Sequence, residues 1–224
     1  MTTQSVLIIG ASRGLGLGLA NAFAAQGWSV TATVRSQGAE ALHSVPHVEI
    51  ETLDITDGGS VDALAGRLSG RQFDVVFVNA GISGPRVDRA SAASDSDVAA
   101  LFITNSVAPV RLAERLLDNV KPGGVLTFMS SIMGSVETGS GMGMPLYGAS
   151  KAALNHLVNS FAKALENGPT VLLMHPGWVR TEMGGDQAPL DVETSCRGMV
   201  QQVIHAIGQG GHRYLDYEGN ELPW

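Results

Sequence analysis

Ser5-Val-Leu-Ile-Ile9 runs straight into Gly10-Ala-Ser-Arg-Gly14-Leu-Gly16, and after Gly16 apolar residues recur at Leu19, Ala20, Phe23 and Ala24. Residues 5–9 read as a short apolar β run, and the later spacing by three and four marks one face of a helix. Strand, glycine turn, helix is the context that a dinucleotide-binding motif requires. Glycine lets backbone come close to a pyrophosphate, and a helix start offers unpaired N–H groups to it. The candidate contacts here are Gly10, Ser12, Arg13, Gly14, Leu15 and Gly16. The spacing is GxxxGxG rather than GxGxxG, and the competing reading is a tight turn with no ligand. The flanking pattern favours the ligand.

Working outward, residues 29–34 form the second strand, and Arg35 follows it. A site for NAD places Asp or Glu near there to bond the ribose hydroxyls. The first acid here is Glu40, already in the next helical stretch. Arg35 and Arg13 instead suit a 2′-phosphate, so NADP(H) is expected in preference to NAD(H), which stays usable. A third strand at 48–53 ends at Asp54-Ile55-Thr56-Asp57. Asp57 or Thr56 suits the cap of a helix at 58–68. Asp54, beside Ile55, stands at a strand's C-terminal end, where doubly wound sheets bind ligands. It can accept from an adenine amino group or simply cap its loop. The apolar run 73–78 is a buried parallel strand ending at Asn79-Ala80-Gly81, whose small residues let backbone touch a cofactor.

Tyr147-Gly-Ala-Ser-Lys151 puts a phenol and an ammonium on one helix face. A phenol titrates near pH 10, and a neighbouring cation lowers that value. Matching it to neutral pH takes a shift of roughly 3 units, about 4 kcal/mol, so one lysine needs help, which a cofactor cation could supply. Such a motif alone often marks only a helix start. Ser130-Ser131 upstream, at the end of a strand 125–130, gives it weight, as does the glycine-rich opening. Asn105 falls in the apolar register of a long helix at 95–118, and a buried amide needs partners. Between Ser131 and Tyr147 lies a glycine- and methionine-rich loop, 132–146, placed to line a pocket. The Tyr147 helix ends at Asn167-Gly168-Pro169. A strand at 170–174, the run His175-Pro-Gly-Trp-Val-Arg-Thr181, a helix at 191–207 and a strand at 212–217 complete the chain. Strands alternating with helices throughout describe one α/β domain, residues 1–224, on a doubly wound parallel sheet.

Composition narrows the function further. Fourteen basic against 21 acidic residues leave a net charge of -7, which argues against nucleic acid as a partner. No apolar run approaches the roughly 18 residues of a membrane span, and no charged n-region precedes Val6, so neither membrane anchor nor signal peptide is expected. A single cysteine, Cys196, fits a reducing cytoplasm and a small buried apolar role. His43 and His47 are four apart, but Pro46 between them breaks a shared helical face. No metal site is expected.

Gly10-Ala-Ser-Arg-Gly-Leu-Gly16, Asn79-Ala-Gly81, Asn105, Ser131, Tyr147-Gly-Ala-Ser-Lys151 and Pro176-Gly177 together resemble the short-chain dehydrogenase/reductase family, in its order and over nearly the whole chain. The run Pro-Gly-Trp-Val-Arg-Thr and the ending Tyr-Glu-Gly-Asn-Glu-Leu-Pro-Trp224 look most like its C-factor/Sniffer-type carbonyl reductase branch. The resemblance implies a Rossmann sheet of strand order 3-2-1-4-5-6-7. It implies Tyr147 as general acid/base and Ser131, second of its pair, as hydrogen-bond donor to the substrate oxygen. Lys151 would hold the nicotinamide ribose and depress the Tyr147 pKa, and Asn105 would hold a water linking Lys151 to solvent. Thr181, with backbone near Pro176, Gly177 and Val179, would meet the carboxamide. One departure is the short segment between Thr181 and the helix at 191, where many members carry a longer substrate cover.

The expected function is therefore NADPH-dependent reduction of an aldehyde or ketone, or oxidation of the alcohol. An NADP-binding sensor with incidental catalysis is the alternative. An intact Asn-Ser-Tyr-Lys set favours the enzyme, because a sensor needs no acid/base. An epimerase or dehydratase of the longer relatives lacks its substrate domain here. Val110 and Leu117 on one helix, and Leu154 and Phe161 on another, are apolar beyond a single face. In the family the equivalent helices often pair, which implies a homodimer, with a tetramer as the larger assembly. With so short a cover, Met142, Met144, Trp178 and Met183 are expected to line an apolar, permissive pocket with no fixed cation. The arginines that would break this reading are Arg86 and Arg180.

Overall fold

The computed structural model describes residues 3–35, 38–139 and 141–224. Seven parallel strands form one sheet in the order β3-β2-β1-β4-β5-β6-β7. They are β1 Ser5–Ile9, β2 Ser29–Val34, β3 Val48–Thr52, β4 Phe73–Val78, β5 Val120–Met129, β6 Thr170–His175 and β7 His212–Asp216. The helices are α1 Gly14–Ala25, α2 Gly58–Arg67, α3 Asp95–Phe102, α4 Ala108–Arg115, α5 Pro145–Ala164 and α6 Val192–His205. The strand order reverses between β1 and β4, so crossover helices leave to opposite faces there and open a crevice at the strands' C-terminal ends.

Alternation along each strand divides the core into two layers. Val6 and Ile8 face Phe23 of α1 and Met199 of α6, while Leu7 and Ile9 lie in the layer of Leu64, Leu112 and Leu154. Every one of these side chains is under 2% exposed, which is why β1 reads as an unbroken apolar run. Cys196 is fully buried, with its thiol toward the Leu15 carbonyl at 3.4 Å, and burial pushes it up to about 12. Edge strand β3 is covered instead by ion pairs, Arg67 to Glu51 at 2.6 Å and Arg71 to Glu49 at 2.7 Å.

The expected long helix at 95–118 is in fact α3, a π-helical turn Ile103–Val107, α4, and a short 3-10 turn Leu117–Asn119. Pro109 explains the break: it has no N–H to give to the carbonyl four residues back, which is that of Asn105. Strand β5 begins at Val120 rather than 125, through a register shift against β4 between Phe73 and Val75. Helix α5 begins at Pro145, two residues before Tyr147, because proline suits a first helical turn. Glu40 lies in a 3-10 turn, Glu40–Ser44, and Asp57 caps α2 by accepting from Gly59 N at 2.9 Å. Other boundaries differ from expectation by one or two residues.

Candidate active site

The glycine turn lies at the crevice and is held by close backbone approach. Gly10 and Gly14 have φ of 86° and 54°, a region that glycine enters without a Cβ clash. A Cβ on Gly16 would sit 2.1 Å from the Gly10 carbonyl and 2.7 Å from Asn79 Nδ2. Asn79 donates to that same carbonyl at 2.6 Å, and the N–H groups of Asn79 and Ala80 both reach Ile9 O. Asn79-Ala80 thus buttresses the turn across β1 and β4. The start of α1 has no side-chain cap and no acid in its first turn, so its N–H groups suit an anion. These features fit a dinucleotide pyrophosphate. Thr181 lies over the turn, its methyl 3.7 Å from where a Gly14 Cβ would be. Gly177, with φ 82°, lets the chain turn past Leu190 and Tyr217 after Pro176. Val179 is buried and bridges to Leu190.

The adenine end is more open. Arg35 is exposed just past β2, close enough to help lower the Asp54 carboxyl. The main cause of that lowering is Thr56, whose hydroxyl and N–H reach Asp54 Oδ1 at 2.7 and 2.9 Å. The loop-capping role of Asp54 is therefore present. Next to it, Ile55 is buried. Gly38 packs against Ser12. Arg13 is ion-paired with Glu182, both side chains largely exposed.

The second half of the site is buried. Strand β5 ends at Met129, and Ser131 caps the 3-10 turn Ile132–Gly134, its Oγ accepting from Met133 N at 3.2 Å. Tyr147 is half-buried in the first turns of α5, near enough to Ser131 for the serine hydroxyl to favour its ionised form. One turn on, buried Lys151 donates from Nζ to Met129 O at 2.8 Å, and Nζ lies 5.9 Å from the Tyr147 ring centre. Asn105 is fully buried in the π turn. Its Oδ1 accepts from Ile82 N at 2.8 Å, and its Nδ2 donates to Ile82 O at 2.8 Å and Ser150 Oγ at 3.1 Å. Those bonds use its side chain to tie the loop after β4 to α5. Pro109 leaves the Asn105 carbonyl without an α-helical partner. Gly81 fits between the two: a Cβ there would lie 3.2 Å from Asn105 Oδ1 and 3.6 Å from Lys151 Nζ.

The depression expected from Lys151 together with an oxidised cofactor concerns the bound state; in the cofactor-free chain other effects govern Tyr147. Burial dominates and pushes the phenol up to about 12, with the Ser131 hydrogen bond pulling the other way. Burial also lowers the Lys151 ammonium to about 8. Two desolvated groups that do not touch each lose more from dehydration than they gain from one another. Without a cofactor cation, Tyr147 is a neutral phenol at pH 7.

The pocket residues named from sequence fall on two separate loops. Met142 is 55% exposed and Met144 adopts a left-handed φ of 47°, both on the loop before α5; Ser140 of that loop lies outside the described residues. Trp178 and Met183 are 57% and 43% exposed, with Trp178 Nε1 donating to Gly184 O at 2.8 Å. An open groove of about 480 Å³ is lined by Asp88, Met133, Val136, Gly143, Gly148 and Ala152, among others. Met142 and Met144 alternate in sequence with its lining residues Gly141, Gly143 and Pro145 without lining it themselves. Arg180 is turned onto the Ala188 and Pro189 carbonyls, and Arg86 onto Met183 O. Sequence reasoning missed Asp88 and Tyr214. The hydroxyl of Tyr214 donates to Ser131 O from 83 residues away, and no local pattern signals that contact.

Comparison with known proteins agrees with this geometry. Residues 4–190 match the family model described as short chain dehydrogenase. C-signal of Myxococcus xanthus is 36% identical over 159 residues, 67% of this chain and 92% of that protein. A carbonyl reductase from Pseudomonas aeruginosa PAO1, solved in complex with NADP, superposes with TM-score 0.92 at 45% identity over all of both chains. Carbonyl reductase Sniffer of D. melanogaster gives TM-score 0.85 at 30% identity, again over all of both chains. With the sheet order, the glycine turn and the Ser-Tyr-Lys cluster all in place, this chain belongs to the short-chain dehydrogenase family of oxidoreductases.

Proposed function

We propose that this chain, acting as a single domain, is an NADPH-dependent oxidoreductase that reduces an aldehyde or ketone, or oxidises the alcohol. The observation that carries this reading is a neutral Tyr147 phenol close to Ser131, one helical turn from buried Lys151, in a chain that opens with the glycine turn. A protonated phenol is the form that can donate to a developing alkoxide. Ser131 Oγ shares that oxygen, and Lys151, with Gly81 and the Thr181 segment, holds the nicotinamide ribose and carboxamide. Gly10, Ser12, Gly14, Leu15 and Gly16 receive the pyrophosphate, Arg35 and Arg13 the 2′-phosphate, Asp54 and Ile55 the adenine, with NAD(H) as the weaker ligand. When bound, NADPH supplies a hydride to the carbonyl carbon.

The substrate is an uncharged apolar carbonyl compound, because both nearby arginines, Arg86 and Arg180, are engaged by backbone carbonyls. Met142, Met144, Trp178 and Met183 rim its entrance. The protein works in the cytoplasm, in keeping with one cysteine; among the described residues no helix is long and apolar enough to cross a membrane. It works as a homodimer through α4 and α5. Val110 and Leu154 belong to the core of the single chain and half-buried Phe161 packs against it, which leaves half-buried Leu117 and the uncovered part of Phe161 for that contact. The test is NADPH oxidation across aldehydes, ketones and keto acids. Turnover of apolar carbonyls that vanishes in Tyr147→Phe supports the reading. Turnover unaffected by that change, or none with any carbonyl, refutes it, and a keto acid as best substrate refutes the pocket.

A further inference from the structure

Tyr214 is the largest fully buried side chain in the core. It stands in edge strand β7, with its ring packed 5.8 Å from that of Trp224. A buried phenol needs a hydrogen-bond acceptor, and this one takes the carbonyl of Ser131. That carbonyl also accepts from Gly134 N at 2.7 Å, so both its lone pairs are used. Ser130, one residue earlier, is held just as closely. Its N–H reaches Met174 O at 2.8 Å, and its Oγ donates to Asn155 Oδ1 at 2.6 Å. Ser130 and Asn155 also adjoin the Tyr214 hydroxyl, opposing the rise that burial imposes on it.

This arrangement bears on reactivity because Ser131 lies beyond the ladder. The last β5–β6 pair is Met129 with Met174, so no sheet register fixes the serine. Its position is set by the 3-10 turn in front and by Tyr214 behind. We propose that Tyr214 is a positioning residue: its hydroxyl fixes the Ser131 backbone and thereby aims Ser131 Oγ at Tyr147. This rests on the reading of Ser131 and Tyr147 as the reacting pair. The competing account is that Tyr214 merely fills the core and its hydroxyl takes the nearest carbonyl.

The two accounts differ in what happens to Tyr147. The groups around its phenol are Ser131, Lys151 on its own helix, and Tyr214 from β7. The nearby Ser131 hydroxyl lowers the Tyr147 pKa, whereas charge on Tyr214 raises it. Removing the Tyr214 hydroxyl therefore shifts Tyr147 upward if aim is lost, and downward or not at all if only a neighbouring charge disappears. The test is Tyr214→Phe, which keeps the ring. Alcohol oxidation needs the phenolate, so its alkaline-rising limb should move to higher pH. Turnover should fall on the order of tenfold, the scale of orienting partners, with KM for NADPH unchanged.

A second arm needs no turnover. The chain has only three tyrosines, Tyr147, Tyr214 and Tyr217, so ring-labelled tyrosine NMR in the NADP⁺ complex resolves Tyr147 directly. Its titration should move up in Tyr214→Phe and stay put in Trp224→Ala, which removes packing but not the hydroxyl. A downward or absent shift in Tyr214→Phe overturns the proposal. So does an equal shift in Trp224→Ala, or unchanged turnover in Tyr214→Phe. If the unaltered protein reduces no carbonyl, the oxidoreductase reading fails while the NMR titration still decides the role of Tyr214.

Discussion

The crevice is built from backbone at one end and from side chains at the other. Around β1 and β4, Gly10 and Gly16 sit so close to Ala80 and to neighbouring main chain that an added Cβ has nowhere to go, and Gly14 holds a left-handed φ. Around β5, β6 and β7, by contrast, Ser131, Lys151, Asn105, Asn155 and Tyr214 are buried polar side chains, with half-buried Tyr147 at their edge. The difference separates two tasks. A shape made of backbone recognises what every dinucleotide shares. A desolvated web tunes protons, because hydrogen bonds and charges act strongly only where water is excluded. Damage to the first end should remove binding, and damage to the second should remove chemistry.

Two substitutions would break the comparison if they failed to separate. Tyr147→Phe should lower turnover by about 10²–10⁴-fold, the usual weight of a general acid, with NADPH affinity nearly unchanged by fluorescence titration. Gly16→Ala should do the reverse damage. Its methyl would stand 2.1 Å from the Gly10 carbonyl, and backbone cannot yield to it. Destabilisation of about 4 kcal/mol and loss of NADPH binding are expected, read by thermal unfolding and by titration. Loss of binding in Tyr147→Phe, or retained binding in Gly16→Ala, would show that the two ends do not divide the work this way.

A smaller effect sharpens the account of the buried end. Lys151 titrates at about 8 in the folded chain against an ordinary 10.5. Below pH 8 both folded and unfolded chains carry its proton, and the burial cost is felt in full. Between pH 8 and 10.5 the folded chain releases that proton while the unfolded chain keeps it, so stability rises with pH. The gain reaches about 3 kcal/mol at most. Cys196 and Tyr147, both pushed up to about 12, act oppositely as pH climbs past their ordinary values. The quantity to measure is therefore the difference in unfolding free energy between the cofactor-free protein and Lys151→Met. That difference should grow across the window. A flat difference would mean that Lys151 is hydrated.

The same division explains how much could be read in the sequence. Glycine and apolar alternation are local, so the turn at Gly10–Gly16 and six of the seven strands lie within two residues of where pattern alone puts them. The exception is β5, whose first half runs through Lys121-Pro122-Gly123-Gly124, residues that read as a turn. The break at 103–107 follows from Pro109, yet proline four residues past Asn105 carries no visible sign of a π turn. Ser131, Tyr147 and Lys151 were legible as a set. The weight of burial on Tyr147 in the cofactor-free chain was not, since it depends on how much protein covers the phenol. Tyr214 was illegible for a simpler reason: its partner is 83 residues away.

The open end should yield the smallest effect, and an asymmetric one. Arg35 and Arg13 both suit a 2′-phosphate, but their surroundings differ. Arg35 projects beside Asp54, whose carboxyl is already occupied by Thr56. Arg13 is committed to Glu182, across the glycine turn, and must leave that partner to reach a phosphate. Arg35 therefore starts free of a competing ion pair among the described residues, whereas Arg13 exchanges one for another. A charge-assisted bond at a solvent-exposed site contributes roughly 1.5 kcal/mol, about tenfold in affinity. Arg35→Asp should shrink or reverse the preference for NADPH over NADH by at least that factor. Arg13→Met should change it less, and Glu182→Gln should strengthen NADPH binding slightly by releasing Arg13. Dissociation constants for both cofactors with each variant provide the check. Equal affinities in the unaltered protein would remove the case for a 2′-phosphate site. A larger loss from Arg13→Met than from Arg35→Asp would mean that Arg13 swings away from Glu182 when cofactor binds and carries most of the selectivity.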